Sequence, residues 1–289
     1  MILTVIGATG LIGSGLVPLL SDAGVPVRAV TRDAAGAPAH PGVAWIQADL
    51  ADRLLLAPAL AGTSRLFLLT GNAPGFGDLQ IRVVRAAREL GVRHIVKVSA
   101  LGASDHSKSG IGLDHWRVEQ AIKEGPTSMA WTILRPHAFM QNWLGDIAET
   151  VRREGAIYSP IGDGKVPFID ARDISAVAAE VLTRPEPHLD KTYVLTGARA
   201  VGFAELAEAL SEVTGRAVVY KPISMDEAAA RMRSQGASER TIKAVLALAA
   251  YQRAGGPTAR VSEHVEQILG RPPGDVRDFA RDHRASFVQ

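Results

Sequence analysis

The chain contains no cysteine. That excludes disulfides, thiolate nucleophiles, iron–sulfur clusters and Cys-ligated zinc, gives no reason to expect a metal, and fits the reducing cytoplasm. An excess of either charge is also missing: 32 Lys and Arg stand against 30 Asp and Glu, a formal net charge of +2, with the signs interspersed. Such a balance supports neither a nucleic-acid nor a membrane surface, so the expected partner is a small-molecule substrate, met by a monomer or homodimer. No apolar window reaches the roughly 20 uninterrupted residues that span a bilayer, because Gly, Pro or a charge breaks each one. The opening MILTVIGATG has neither the basic flank nor the length of a signal peptide and reads as a first strand.

What is present is material for a large core: 47% of the 289 residues are hydrophobic and 21% charged, enough for one large domain or a domain with a smaller lobe. Short runs rich in Val and Ile recur at 2–6, 25–31, 43–47, 65–70, 94–99 and 131–135, with helical segments between most of them. Runs this apolar suit strands covered on both faces, and their alternation with helices predicts βαβ units in a doubly wound parallel α/β sheet. After Pro136 the pattern changes. A helix is expected near 138–153, a turn-rich segment follows, then a helix from about Asp173, a late strand at 191–196, and mostly helices from Phe203. The predicted division is a core over 1–135 and a smaller, mostly helical lobe over 136–289, with segments near 170–200 returning to the core.

IGATGLIGSG places Gly7, Gly10 and Gly13 three residues apart, directly after a buried strand and at the start of an amphipathic helix. The first permits a tight turn, the second lets backbone approach a pyrophosphate at the helix N-terminus, and the third allows close helix–sheet packing. Thr9, Leu11 and Ile12 complete that loop, and the pattern predicts a dinucleotide. The second strand ends at Thr31-Arg32. An Arg there suits the 2′-phosphate of NADPH, whereas Asp33 as ribose ligand would suit NADH. NADPH is the favoured cofactor and NADH the alternative. Asp49 and Leu50, closing the third strand, fall at the adenine edge; Asp49 could also cap the next helix. Thr70, Gly71 and Asn72 close the fourth strand near the middle of the cofactor, or form a plain turn.

GATGLIG, VRAVTRD, ARELGVRHIVKVSA, TILRPHAFMQN, FIDARDISAVAAEVL and KTYVLTG together resemble the NmrA-like family of atypical short-chain dehydrogenases. The likeness is strongest to its bacterial branch of dye and quinone reductases. It implies a Rossmann-type core, NAD(P) binding, and a small lobe that shapes a substrate pocket. The family also includes nucleotide-sensing regulators without known turnover, so a non-catalytic NADP-binding sensor stays open beside an enzyme.

The wider superfamily carries a Tyr and, four residues on, a Lys in the helix after the fifth strand, where the Tyr donates a proton to a carbonyl oxygen. Here none of the four tyrosines lies between residues 100 and 150. The expected helix begins Asp114-His115-Trp116-Arg117, with Glu119 one turn beyond His115. His115 is the tentative proton donor, though the positive helix end would lower its pKa, and it could instead contact backbone or cofactor ribose. Ser99 resembles the superfamily's polar residue beside the nicotinamide. Glu119 is expected to pair with a cation on the helix surface. Pro136 and His137 offer backbone groups for the nicotinamide carboxamide, and Phe139, Met140, Asn142 and Trp143 line a substrate pocket or belong to the core. Without the Tyr–Lys pair, the favoured reaction is hydride transfer to an acceptor that is already electrophilic, such as a quinone, dye or iminium. A carbonyl reductase using His115 is the remaining alternative.

Overall fold

The computed structural model describes residues 2–125 and 128–288. In chain order the first half runs β1 (Ile2–Ile6), α1 (Gly13–Asp22), β2 (Val27–Thr31), β3 (Val43–Gln47), α2 (Arg53–Leu60), β4 (Thr63–Leu68), α3 (Phe76–Glu89), β5 (His94–Val98), α4 (Gly110–Lys123) and β6 (Ala130–Pro136). The second half runs α5 (Asp146–Glu154), β7 (Ala156–Ser159), α6 (Ala171–Thr183), β8 (Lys191–Leu195), α7 (Phe203–Thr214), β9 (Val219–Pro222), α8 (Met225–Ser234), α9 (Glu239–Ala254), α10 (His264–Leu269), α11 (Val276–Asp282) and α12 (Arg284–Phe287). Two compact units result. The first joins the chain up to Pro136 with Ala171–Leu195 and Gln267–Gly270; the second joins His137–Asp170, Thr196–Glu266 and the chain from Arg271 on.

In the first unit the apolar runs pair into a seven-stranded parallel sheet in the order β3-β2-β1-β4-β5-β6-β8. Alternate strand residues Ile6, Val30, Leu66, Leu68 and Ile95 pack with Leu56, Leu60, Val83, Val84, Val118 and Ile122 of α2, α3 and α4. Each fully buried Leu or Val of this kind contributes about 1.5–3 kcal/mol. On the other face α1 lies against α6, where small residues permit close approach: a Cβ on Gly15 would stand 2.9 Å from Ser175 Oγ, which itself donates to Ile12 O at 2.8 Å. The sheet grows from β1 outward to β3 and then returns to β4 on the opposite side. The loops after β1 and β4 therefore border the switch point where open α/β sheets bind ligands.

The second unit holds the short parallel pair β7 and β9 and is otherwise mostly helical. Its core centres on Trp143, whose ring meets Phe168 edge-on at 4.9 Å and Phe279 at 5.5 Å. The single helix expected near 138–153 is divided: a 3₁₀ turn, Met140–Leu144, precedes α5. The break is Gly145, whose ψ of −116° lies outside the helical range. Among the described residues no helix is long and apolar enough to cross a membrane.

Candidate active site

Local sequence builds the loop after β1 in two ways. Gly7 adopts φ +82°, and a Cβ there would stand 2.4 Å from Leu69 O. A Cβ on Gly13 would stand 2.0 Å from Gly7 O, so this glycine is required by the chain's own packing. Gly10 differs: it is exposed, and its Cβ would meet only Gly7 O, at 3.3 Å. Helix α1 starts without a side-chain cap and without an acidic residue in its first turn. Ser14 N–H already donates to Gly10 O at 2.8 Å and Gly15 N–H to Ile12 O at 3.2 Å, and the positive end of the helix dipole has no acidic residue in the first turn to offset it. Exposed Thr9, Gly10 and Leu11 sit at this end, with Ile12 buried beneath. The cradle fits an external diphosphate.

At the end of β2, Thr31 is buried and its Oγ1 accepts the Asp33 N–H. The Asp33 carboxylate accepts Ala35 N–H at 3.0 Å, so it serves its own turn. Arg32 is exposed, and no ion pair to it is formed among the described residues. Asp49 also serves a turn, accepting Ala51 N–H at 2.9 Å. The cap of α2 is Asp52, which accepts Leu54 N–H at 2.9 Å, because Asp49 lies one turn too early. Leu50 is buried beside them. Thr70 Oγ1 accepts from Gln80 Nε2 at 2.6 Å, leaving its own proton to donate, while Gly71 and Asn72 are exposed.

A polar cluster lies buried between β5, β6 and α4. The two-residue period of β5 puts Ile95 and Lys97 on the face covered by α3 and α4, and Ser99 just past the strand follows the same period. Lys97 is fully buried, and its Nζ donates to Val98 O and lies 3.1 Å from His115 Nδ1. Desolvation lowers Lys97 to about 7, with Glu119 opposing. His115 is held down to about 3, first by burial and then by the Lys97 charge, and its ring lies 5.0 Å from that of Phe76. The imidazole is therefore neutral at pH 7. Helix α4 begins at Gly110, so His115 stands in its second turn, and burial rather than the helix end sets its pKa.

Glu119 is not on the helix surface. It is fully buried, because its position on α4 faces β6: Arg135 donates to it twice, from Nε at 2.9 Å and Nη2 at 2.5 Å. Ser99 Oγ donates to the same carboxylate at 2.6 Å, and Lys123 Nζ stands 3.9 Å away.

The sequence profile of the NmrA-like family matches residues 1–267. The chain belongs to that family. It is 38% identical over 285 residues to an NAD(P)H azoreductase of Xenophilus azovorans, covering 98% of each chain. Its fold is similar to that of the NADPH-dependent quinone oxidoreductase of Escherichia coli complexed with NADPH, with a TM-score of 0.87 and 27% identity over 99% of this chain and 100% of that one. The Citrobacter sp. triphenylmethane reductase complexed with NADP(H) is similar with a TM-score of 0.84 and 28% identity, over 96% and 98% of the two chains.

In this NmrA-like protein the glycine loop, the ends of β2, β3 and β4, Ser99, His115 and Pro136 all belong to the first unit. Pro136 O accepts Leu101 N–H at 3.1 Å. In the second unit His137 is buried with both ring nitrogens engaged, Nδ1 by Ala138 N–H at 2.6 Å and Nε2 by Thr258 O at 2.9 Å. Met140 and Trp143, expected to line a pocket or join the core, are 1% exposed core residues; the 3₁₀ turn points them inward against Phe168 and Phe279. Asn142 is exposed and Phe139 half-buried. Sequence reasoning missed Lys97 and Arg135. Their signal was a cation inside HIVKV and TILRP, strands apolar enough to be covered on both faces.

Proposed function

We propose that this NmrA-like protein, an NAD(P)H-dependent oxidoreductase, prefers NADPH and reduces a conjugated, electron-poor small molecule of quinone, dye or iminium type without a strong protein acid at the acceptor. The observation that carries this reading is the state of the two polar groups where the superfamily keeps its acid machinery. His115 is neutral and deeply buried, with Nδ1 engaged by Lys97, and the Ser99 proton is committed to Glu119. Neither group is poised to protonate a developing alkoxide, whereas an acceptor that delocalises or neutralises incoming charge has no such need.

When bound, the reduced nicotinamide supplies the hydride. The chain's own residues then bind and orient. The amides of Leu11, Ile12 and Gly13 hold the pyrophosphate at the start of α1, with Gly7, whose carbonyl accepts Gly10 N–H at 3.0 Å, and Gly13 fixing the loop. Arg32, exposed and free of an internal carboxylate, meets the 2′-phosphate. Asp49 and Leu50 border the adenine, and Thr70, Gly71 and Asn72 the middle of the dinucleotide. Ser99 keeps two lone pairs as acceptors for the carboxamide N–H, joined by backbone at Pro136.

The test is His115→Ala assayed with a quinone, a cationic dye and a simple ketone. Losses of a few-fold on the first two and a rate flat through the ordinary imidazole range are expected. General acid catalysis contributes about 10²- to 10⁴-fold, so a hundredfold loss on every acceptor, with a rate falling as pH rises through that range, overturns the acid-free reading. Tight NADPH binding without oxidation by any acceptor would instead point to a sensor.

A further inference from the structure

A lysine ammonium has three donors and no acceptor. Where Lys97 Nζ lies 3.1 Å from His115 Nδ1, a charged Lys97 can bond the ring only if Nδ1 carries a lone pair, which places the ring's hydrogen on Nε2. A neutral amine, by contrast, has a lone pair of its own and can accept from an Nδ1–H. We propose that Lys97 is a positioning residue that sets the tautomer of His115: while Lys97 keeps its proton the ring presents Nε2–H as a donor, and when Lys97 loses it the ring can turn to Nδ1–H and present Nε2 as an acceptor. The inference concerns the same buried His115 on whose state the acid-free reading above rests, and it deepens that reading.

The surroundings isolate the pair. In the flanking strands the register partners of Lys97 are Leu68 and Ile133, which carry no charge. Helix α3 brings Phe76 against the imidazole; its nearby carboxylate, Asp78, is exposed and held by Arg117, which also holds Asp114 of α4. Glu119 of α4 is the one carboxylate acting on Lys97 electrostatically, and it is committed to Arg135, Ser99 and, at longer range, Lys123. Among the described residues no carboxylate lies within ion-pair distance of Lys97. A buried cation with only a carbonyl and an imidazole for company is a costly choice for a core position, and perturbed groups of this kind cluster at functional sites. With burial lowering Lys97 to about 7, the exchange falls in the range where a reductase works.

The experiment is nitrogen-15 NMR of histidine-labelled full-length protein from pH 5.5 to 9, on wild type, Lys97→Met and Lys97→Arg. In wild type, His115 should be Nε2–H at the acid end and move toward Nδ1–H with a midpoint near neutral. Lys97→Arg, which keeps its charge, should hold Nε2–H throughout. Lys97→Met should lose the tautomer transition, and its ring should take up a second proton closer to the ordinary 6.5 because the repelling charge is gone. A wild-type ring that is Nδ1–H at low pH, or whose tautomer does not change across the range, overturns the proposal, as does a transition that persists in Lys97→Met. The wild-type titration decides even if a variant fails to fold. Because the tautomer is read without turnover, a switching ring in a protein that reduces nothing counts against the reductase reading alone, and a fixed ring in an active enzyme counts against this proposal alone.

Discussion

Replacing Glu119 by Gln keeps the shape of a fully buried side chain and removes its charge. The carboxylate accepts three hydrogen bonds, two from Arg135 and one from Ser99, at 2.5 to 2.9 Å. Breaking a buried ion pair costs about 3–5 kcal/mol, chiefly because the surviving charge is left unpaired. Here the survivor is Arg135, whose side chain is 25% exposed and can recover some hydration, and Gln still accepts one bond, so the expected loss is about 2–4 kcal/mol. The reverse variant, Arg135→Met, strands the carboxylate where exposure is zero, leaving it the Ser99 hydrogen bond, Lys123 at 3.9 Å and the more distant Lys97 charge. It should reach the upper end, about 3–5 kcal/mol. Glu119→Gln combined with Arg135→Met removes both charges together and should lie nearer to wild type than the sum of the singles. Urea denaturation of the four proteins at pH 7 gives the cycle. A coupling energy under about 0.5 kcal/mol, or single losses under about 1 kcal/mol, would refute the claim that this pair ties β6 to α4.

Arg32→Ala should weaken NADPH binding by about tenfold to a hundredfold, the loss of one charge-assisted contact, while NADH binding changes little; titration calorimetry with both cofactors checks it, and equal losses would remove Arg32 from the 2′-phosphate. Gly10→Val should abolish cofactor binding with only a small drop in thermal midpoint, because a Cβ there presses on Gly7 O at 3.3 Å and meets nothing else internal. Gly13→Ala should lower the midpoint as well, since its Cβ falls 2.0 Å from Gly7 O and backbone must move. Lys97→Met should be more stable than wild type at pH 7, measured by denaturation across pH. An unfolded lysine holds its proton to about 10.5 and the folded one only to about 7, so the wild-type penalty is full below about 7 and is relieved as pH rises toward 10.5. A gap between the two proteins that stays constant from pH 7 to 10 would show that Lys97 does not titrate as its burial implies.

Local signals sufficed for the glycine loop after β1. Gly7 and Gly13 are demanded by contacts within a few residues or across one neighbouring strand, and the strand–turn–helix around them is encoded in a single short segment. The same holds for the sheet: strands apolar on both faces, alternating with helices, imply parallel pairing and a switch point. The chain's membership of the NmrA-like family was legible as well, because its motifs run through nearly the whole length.

Tertiary structure alone decided the polar machinery. Glu119 reads in sequence as one more charge on an amphipathic helix, and only the packing of α4 on β6 turns it inward to Arg135 and Ser99. Lys97 and His115 are 18 residues apart, and no local pattern announces that Nζ and Nδ1 meet. Sequence favours a substrate pocket over a core for Met140 and Trp143, and the packing brought together in the second unit buries them in the core. The physical reason is common to all of these. Periodicity and turn chemistry depend on neighbours along the chain, whereas pKa, tautomer and the direction a buried charge faces depend on dielectric and partners brought together from distant segments.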